Sequence, residues 1–234
     1  MKELSWIPPR AKSRLFDEWP DPYDRWFTTP IGALVRKYEA ELLLDLLEPR
    51  PAEIILDAGC GTGVFTLDIL TFGTHVIGLD ISLPMLRRAR EKAGDDPFRI
   101  VLGDMLNLPF PEGCFDRVVS VTALEFIEDG QGAIGELFRV TKKGGCIVAA
   151  TLNRMSPWAS RRAAEAQKRQ TLFTKAIFRS PDELRSLASV KGVIRTAIHF
   201  QKEDDPNIAP EIERSGREKG LDTGAFLAAR WEKE

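Results

Sequence analysis

Two aspartates and three glycines stand close enough along residues 54–80 to build a binding site largely from bare backbone. The apolar run Ile54, Ile55, Leu56 ends on a carboxylate, Asp57, and Gly59, Gly61 and Gly63 follow before a helical pattern begins at Val64. Such a stretch reads as a buried strand, a turn stripped of side chains and a helix start, where N–H groups face a ligand. A second apolar run, Val76, Ile77 and Leu79, delivers Asp80, at the spacing where an acid meets ribose hydroxyls. The chemistry these residues suit is the holding of a nucleoside-bearing ligand.

A nicotinamide dinucleotide suits them poorly. Its fingerprint needs a third glycine at the position filled here by Val64. A pyrophosphate beside Asp57 would also meet a like charge at short range. A zwitterionic amino-acid moiety suits the site better. Asp57 can take a charge-assisted hydrogen bond from its ammonium while the turn and helix-start N–H groups face its carboxylate.

The elements that must position these residues alternate. Strand-like runs fall at 54–58, 75–80, 98–103, 115–121 and 145–152, with helical spacing at 64–72, 84–92 and 131–141. That order predicts a parallel sheet with right-handed crossovers and helices on both faces, its ligand side at the carboxyl ends of the strands. Ser82 and Asp129 stand at expected helix N-caps, and the Gly144-Gly145 pair reads as a helix stop. Ahead of the core, 31–47 reads as an amphipathic helix with Ile31, Leu34, Val35, Tyr38, Leu42 and Leu46 on its apolar face. Beyond Leu152 come a basic helical stretch over 156–170 and a helix from Ser180-Pro181 to Leu187. Two strands, 193–200 and 225–231, are separated by a polar connector.

Composition bounds the rest. With 234 residues, 43% of them hydrophobic, one domain is expected. Its expected segments are an N-terminal arm and helix (1–50), a cofactor-binding core (51–152), a basic lid-like insertion (153–190) and a C-terminal strand pair (191–234). No apolar run approaches the ~18 residues of a membrane span. Trp6, Pro8 and Pro9 stand where an export signal would need its apolar core. Cys60, Cys114 and Cys146 suit a reduced, cytoplasmic protein with neither a disulfide framework nor a metal knuckle. The formal charge of −2 conceals an uneven distribution, for residues 154–195 hold seven arginines and three lysines against three acids. Overall this argues against a nucleic-acid partner while marking one basic segment.

Residues 55–66, with Gly78–Ser82, Gly103-Asp104-Met105 and Phe115–Val121, resemble a class I S-adenosylmethionine-dependent methyltransferase. Tyr23-Asp24-Arg25-Trp26-Phe27 and Thr29-Pro30 resemble a small-molecule branch similar to quinone-biosynthesis methyltransferases. The resemblance implies an α/β fold: a Rossmann-like, doubly wound, seven-stranded sheet, mostly parallel with an antiparallel last strand. It assigns Asp57 and Gly59 to the methionine end of S-adenosyl-L-methionine, with Gly61 and Gly63 keeping the turn open. Asp80 grips the ribose, Ile81 lies against adenine, and Asp104 accepts from the adenine amine with Met105 nearby. Val121 and Thr122 line the place where the methyl is presented, and Cys60, Ser82 and Met85 complete the set.

A sulfonium methyl is already activated, so the enzyme's main task is to hold an acceptor in line in a dry site. No elaborate catalytic constellation is required, and no catalytic residue stands out. Glu125, after the fourth strand, is a candidate base, and Tyr23 is the other catalytic candidate. Tyr23 and Trp26 are candidates for a lid, or for an aromatic cluster that packs the arm. His75 opens the second strand away from the ligand side and His199 lies on a late strand, so neither is expected to be catalytic, and Cys60 reads as a small residue tolerated in the turn. Arg161, Arg162 and Arg169 read as a solvated helix face or as a lid attracting an anionic acceptor. The expected activity is methyl transfer to a small acceptor, lipophilic or anionic, by a monomer or homodimer. The alternatives are an RNA or protein methyltransferase and a non-catalytic S-adenosylmethionine-binding regulator.

Overall fold

The computed structural model describes residues 15–168 and 171–234. Trp6, Pro8 and Pro9, and Arg169 with Gln170 at the end of the basic helix, lie outside them. Helices α1 (Pro20–Trp26) and α2 (Pro30–Leu47) lead into β1 (Ile54–Ala58), α3 (Val64–Leu70), β2 (His75–Asp80), α4 (Leu83–Ala93) and β3 (Phe98–Leu102). Then follow β4 (Phe115–Val121), a 3-10 turn (Leu124–Phe126), α5 (Gly130–Val140) and β5 (Thr141–Leu152). The remainder comprises α6 (Pro157–Lys168), a second 3-10 turn (Leu172–Lys175), α7 (Pro181–Arg185), β6 (Val193–Ala197), α8 (Ala209–Glu218) and β7 (Phe226–Glu232).

The seven strands form one sheet in the order β3-β2-β1-β4-β5-β7-β6. The first five pair in parallel, and β7 runs antiparallel to both β5 and β6, as expected of the last strand. Alternation along each strand feeds two cores. On β5, Cys146, Val148 and Ala150 join the core under α2, α3 and α4, while Ile147 and Ala149 join the core under α5. A strand buried on both faces in this way reads as a near-continuous apolar run. The chain order reverses between β1 and β4, which opens a crevice above their carboxyl ends.

Ser82, Asp129 and Ser180 all cap helices as expected, with Ser180 and Glu183 forming a reciprocal capping box. Three expectations fail. The Gly144-Gly145 pair is not a helix stop, because α5 already ends at Val140 and Thr141 is extended. The pair lies inside β5, where its register with β4 shifts between Phe115 and Arg117. His199 is not on a strand, since β6 ends at Ala197 and Ile198 turns to φ 67°. The connector before β7 also contains a helix, α8. It packs through a glycine: a Cβ on Gly216 would lie 2.2 Å from the His199 ring, so the ring occupies the space a side chain would fill.

Candidate active site

Asp57, next to last on β1, has only 3% of its surface exposed, and the Thr66 hydroxyl on α3 donates to its Oδ2 at 2.5 Å. Asp80 ends the neighbouring strand β2. Its Oδ2 accepts from the Gly61 N–H at 2.9 Å and its Oδ1 from the Ser82 N–H at 2.8 Å, which leaves capacity on both oxygens. Gly59 and Gly61 turn the chain at φ 79° and 54°. A Cβ on Gly59 would collide with Ala123 at 2.5 Å, whereas one on Gly61 would meet nothing within 4 Å. The space above Gly61 is therefore open for a ligand, bounded by two buried carboxylates and exposed backbone.

These groups open into a cavity of about 630 Å³. Asp57, Gly59, Cys60, Gly61, Asp80, Ile81, Met85, Asp104, Met105, Val121 and Thr122 all line it. Two expected residues do not. Gly63 lies behind the turn against Ala89, and the wholly buried Ser82 caps α4 while donating to Asp17 at 2.8 Å. Asp104 accepts from the Leu106 N–H at 3.0 Å through one oxygen only. This set of acceptors fits a sulfonium nucleoside, offering one acid for an ammonium, one for a diol and a third for an exocyclic amine. His75 lies outside the cavity, and His199 is spent packing against α8.

Burial pushes the Asp57 carboxyl up to about 7, against a Thr66 hydrogen bond that lowers it, and Asp80 adds to the rise. Burial raises Asp80 as well, opposed by the backbone N–H groups of Ser82, Gly61 and Ile81. A ligand ammonium favours ionised Asp57, so binding must first expel its proton below about pH 7. Affinity for S-adenosylhomocysteine is then expected to be level just above pH 7 and to fall toward about tenfold per unit from pH 7 to 5.5. Calorimetry giving one dissociation constant across that window would contradict an ammonium at Asp57.

The far half of the cavity is aromatic. Tyr23, Trp26, Phe27, Phe126, Trp158 and Phe173 line it, contributed by α1, α6 and the two 3-10 turns or the residues beside them. Segment 15–27 is tied across the top. Asp17 accepts from Ser82, Asp21 pairs with Arg88, and Asp24 accepts from Thr62 at 2.6 Å and from Lys92 at 2.8 Å. The Phe16 and Phe126 rings meet edge to face with centroids 4.9 Å apart. Tyr23 and Trp26 thus roof the cavity while also packing the arm.

Thr122 sits where the two halves meet, at φ 50°, a conformation that a β-branched residue adopts only under constraint. Three residues later Glu125 is 1% exposed and accepts from the Thr151 hydroxyl at 3.2 Å. Its turn is clamped by Arg179, whose Nη1 donates to the Leu124 carbonyl at 2.8 Å and Nη2 to the Ile127 carbonyl at 3.1 Å. Burial raises Glu125 to about 7. Glu39 of α2 lines the same half, and burial pushes it up to about 8. Sequence reasoning passed over Glu39 and Arg179. The signal for Glu39 is its position, four after Val35 and three before Leu42, which puts a carboxylate on the apolar face of α2. Arg179 was legible only as part of a basic segment.

That segment is not a free positive patch. Arg154 pairs with Glu183, Arg161 with Glu203 and Glu165, Arg185 with Asp182 and Arg195 with Asp45, while Arg179 holds carbonyls. Arg162 alone among these arginines turns its guanidinium into the cavity without an ion pair among the described residues.

A methyltransferase-domain family model matches residues 56–149. The malonyl-[acyl-carrier protein] O-methyltransferase of Pectobacterium atrosepticum is 31% identical over 229 residues, spanning 88% of this chain and 81% of that protein. A demethylmenaquinone methyltransferase of Beutenbergia cavernae is 34% identical over 142 residues, or 59% of this chain and 58% of that one. Among solved structures, a possible histamine N-methyltransferase from Thermotoga maritima has the same fold. Its TM-score is 0.71 at 21% identity, covering 96% of this chain and 100% of that one. No described helix is long and apolar enough to cross a membrane.

Proposed function

That this chain belongs to the class I S-adenosylmethionine-dependent methyltransferases is the premise from which we propose its acceptor: a small lipophilic molecule with an ionisable oxygen at its polar end. One observation carries the reading. The cavity runs without interruption from Asp57 and Asp80, past Thr122, into the aromatic chamber that holds Glu39, Glu125 and Arg162. The named acceptors of two relatives, a malonyl group on a carrier protein and demethylmenaquinone, both offer oxygen-bearing groups.

On this reading Asp57 meets the cofactor's ammonium, Asp80 the ribose diol and Asp104 the adenine amine. Gly59, Cys60, Gly61, Ile81, Met85, Met105 and Val121 form the walls. When bound, the cofactor supplies an electrophilic methyl whose leaving group, a neutral thioether, needs no proton. The chain's residues do the rest. The aromatic roof excludes water, the turn at Thr122 shapes the passage between the two halves, and Glu125 receives the proton the acceptor loses. One domain over 1–234, acting as monomer or homodimer, suffices for this. Free Cys60, Cys114 and Cys146 favour a reducing cytoplasm.

The test is to incubate the protein with methyl-labelled S-adenosylmethionine and separated pools of small metabolites, RNA and protein. Label is expected in lipophilic small molecules bearing hydroxyl or acid groups. Label confined to RNA or to the amino-acid side chains of protein would overturn the reading, and so would cofactor binding with no labelled product in any pool.

A further inference from the structure

Arg162 projects from α6 into the acceptor half of the cavity, its guanidinium 4.8 Å from the Phe173 ring centroid and 5.3 Å from that of Trp158. Two aromatic faces hold a planar cation in place and leave its N–H edge available. The acids that act most on its charge, Glu39 and Glu125, both stay beyond ion-pair distance. Three other cations line the cavity. Arg161 is engaged by Glu203 at 2.9 Å, Lys202 lies over the Trp26 ring at 5.5 Å, and Lys175 belongs to the second 3-10 turn.

We infer that Arg162 binds the oxyanion of the acceptor, so that the substrate class is a lipophilic phenolate, enolate or carboxylate rather than an amine. The inference rests on the acceptor chamber proposed above. Burial pulls the guanidinium down to about 10, so it stays cationic at neutral pH. An amine would have to lodge beside that fixed charge. An oxyanion instead meets a donor whose position is already set by its ring contacts, at little cost in side-chain freedom. A neutral hydroxyl or enol entering the chamber passes its proton to Glu125 and becomes the anion that Arg162 holds. A carboxylate arrives ionised and bypasses that transfer.

The test uses four probes of one shape on the full chain loaded with S-adenosylhomocysteine: 1-naphthoate, 1-naphthol, 1-naphthalenemethanol and 1-naphthylmethylamine. Binding is followed by calorimetry. The naphthoate, the naphthol or both are expected to bind at least tenfold tighter than the neutral alcohol and the amine. Arg162→Gln is expected to remove that preference while leaving S-adenosylhomocysteine affinity unchanged, and Arg162→Lys to restore part of it. Arg161→Gln and Lys202→Gln are expected to keep it. Binding of neither the naphthoate nor the naphthol tighter than the alcohol, a preference for the amine, or a preference that survives Arg162→Gln would overturn the oxyanion site while leaving the chamber standing. Failure of all four probes with S-adenosylhomocysteine still bound overturns the chamber and the oxyanion site together.

Discussion

Asp80→Ala is expected to weaken binding of S-adenosylmethionine and S-adenosylhomocysteine by roughly 10- to 100-fold. Each Asp80 oxygen accepts a backbone N–H, from Gly61 or Ser82, and the carboxylate borders the cavity. A vicinal diol there gains two charge-assisted hydrogen bonds, together worth about 1.5–3 kcal/mol net of what water offered beforehand. Alanine removes both and also orphans the Gly61 N–H, which loosens the turn. Asp80→Asn separates these effects, for its amide oxygen can still accept one N–H while the charge is gone, and it should fall between wild type and alanine. Calorimetric titration decides the matter, with the melting temperature of each variant taken without ligand. An unchanged dissociation constant in a folded Asp80→Ala protein would remove the ribose from this position.

How much of this was legible beforehand depended on where each signal lay in the chain. Local patterns carried the core. The run ending in Asp57, the glycine turn and the second run ending in Asp80 each need only neighbours in sequence, and β1, α3 and β2 form there. Elements held by distant partners were not legible. Helix α1 buries no residue fully and is fixed by ionic ties from Asp21 and Asp24 to α4. Helix α8 has only Ala209, Ile212 and Gly216 on its packed face, with Gly216 against His199 and Glu213 accepting the His199 backbone N–H at 2.7 Å, so its stripe is too sparse in large apolar residues to stand out in the sequence. The basic segment misled for the same reason. Its charge was countable, but Glu203 and Asp45, which neutralise Arg161 and Arg195, lie 42 and 150 positions away. Glu125 was already a candidate base, but Glu39 acquired a meaning only once its helix brought it to the cavity that Glu125 also lines.

Glu125→Gln is expected to lower kcat by roughly 10²- to 10⁴-fold on an acceptor whose reacting oxygen or carbon carries a proton. Cofactor affinity and acceptor KM should change far less. The glutamine amide oxygen can still accept the Thr151 hydroxyl, and the Arg179 clamp acts on the backbone on either side, so the turn persists. Only the proton acceptor is lost. The pH dependence identifies the group. Burial raises Glu125 to about 7, and a base works when ionised. Wild-type kcat should therefore climb about tenfold per unit below pH 7 and level off above it, because protonation at lower pH silences the base. The glutamine variant should lose that limb and run flat. A carboxylate acceptor gives the opposite result: it arrives ionised, needs no base, and should be methylated almost equally by both proteins. Sensitivity to Glu125→Gln thus sorts acceptors by whether they bring a proton into the chamber. If the variant retained wild-type kcat and the same pH limb on a phenol or enol, the proton would have to leave by another route, with Glu39 as the remaining buried carboxyl in that half of the cavity.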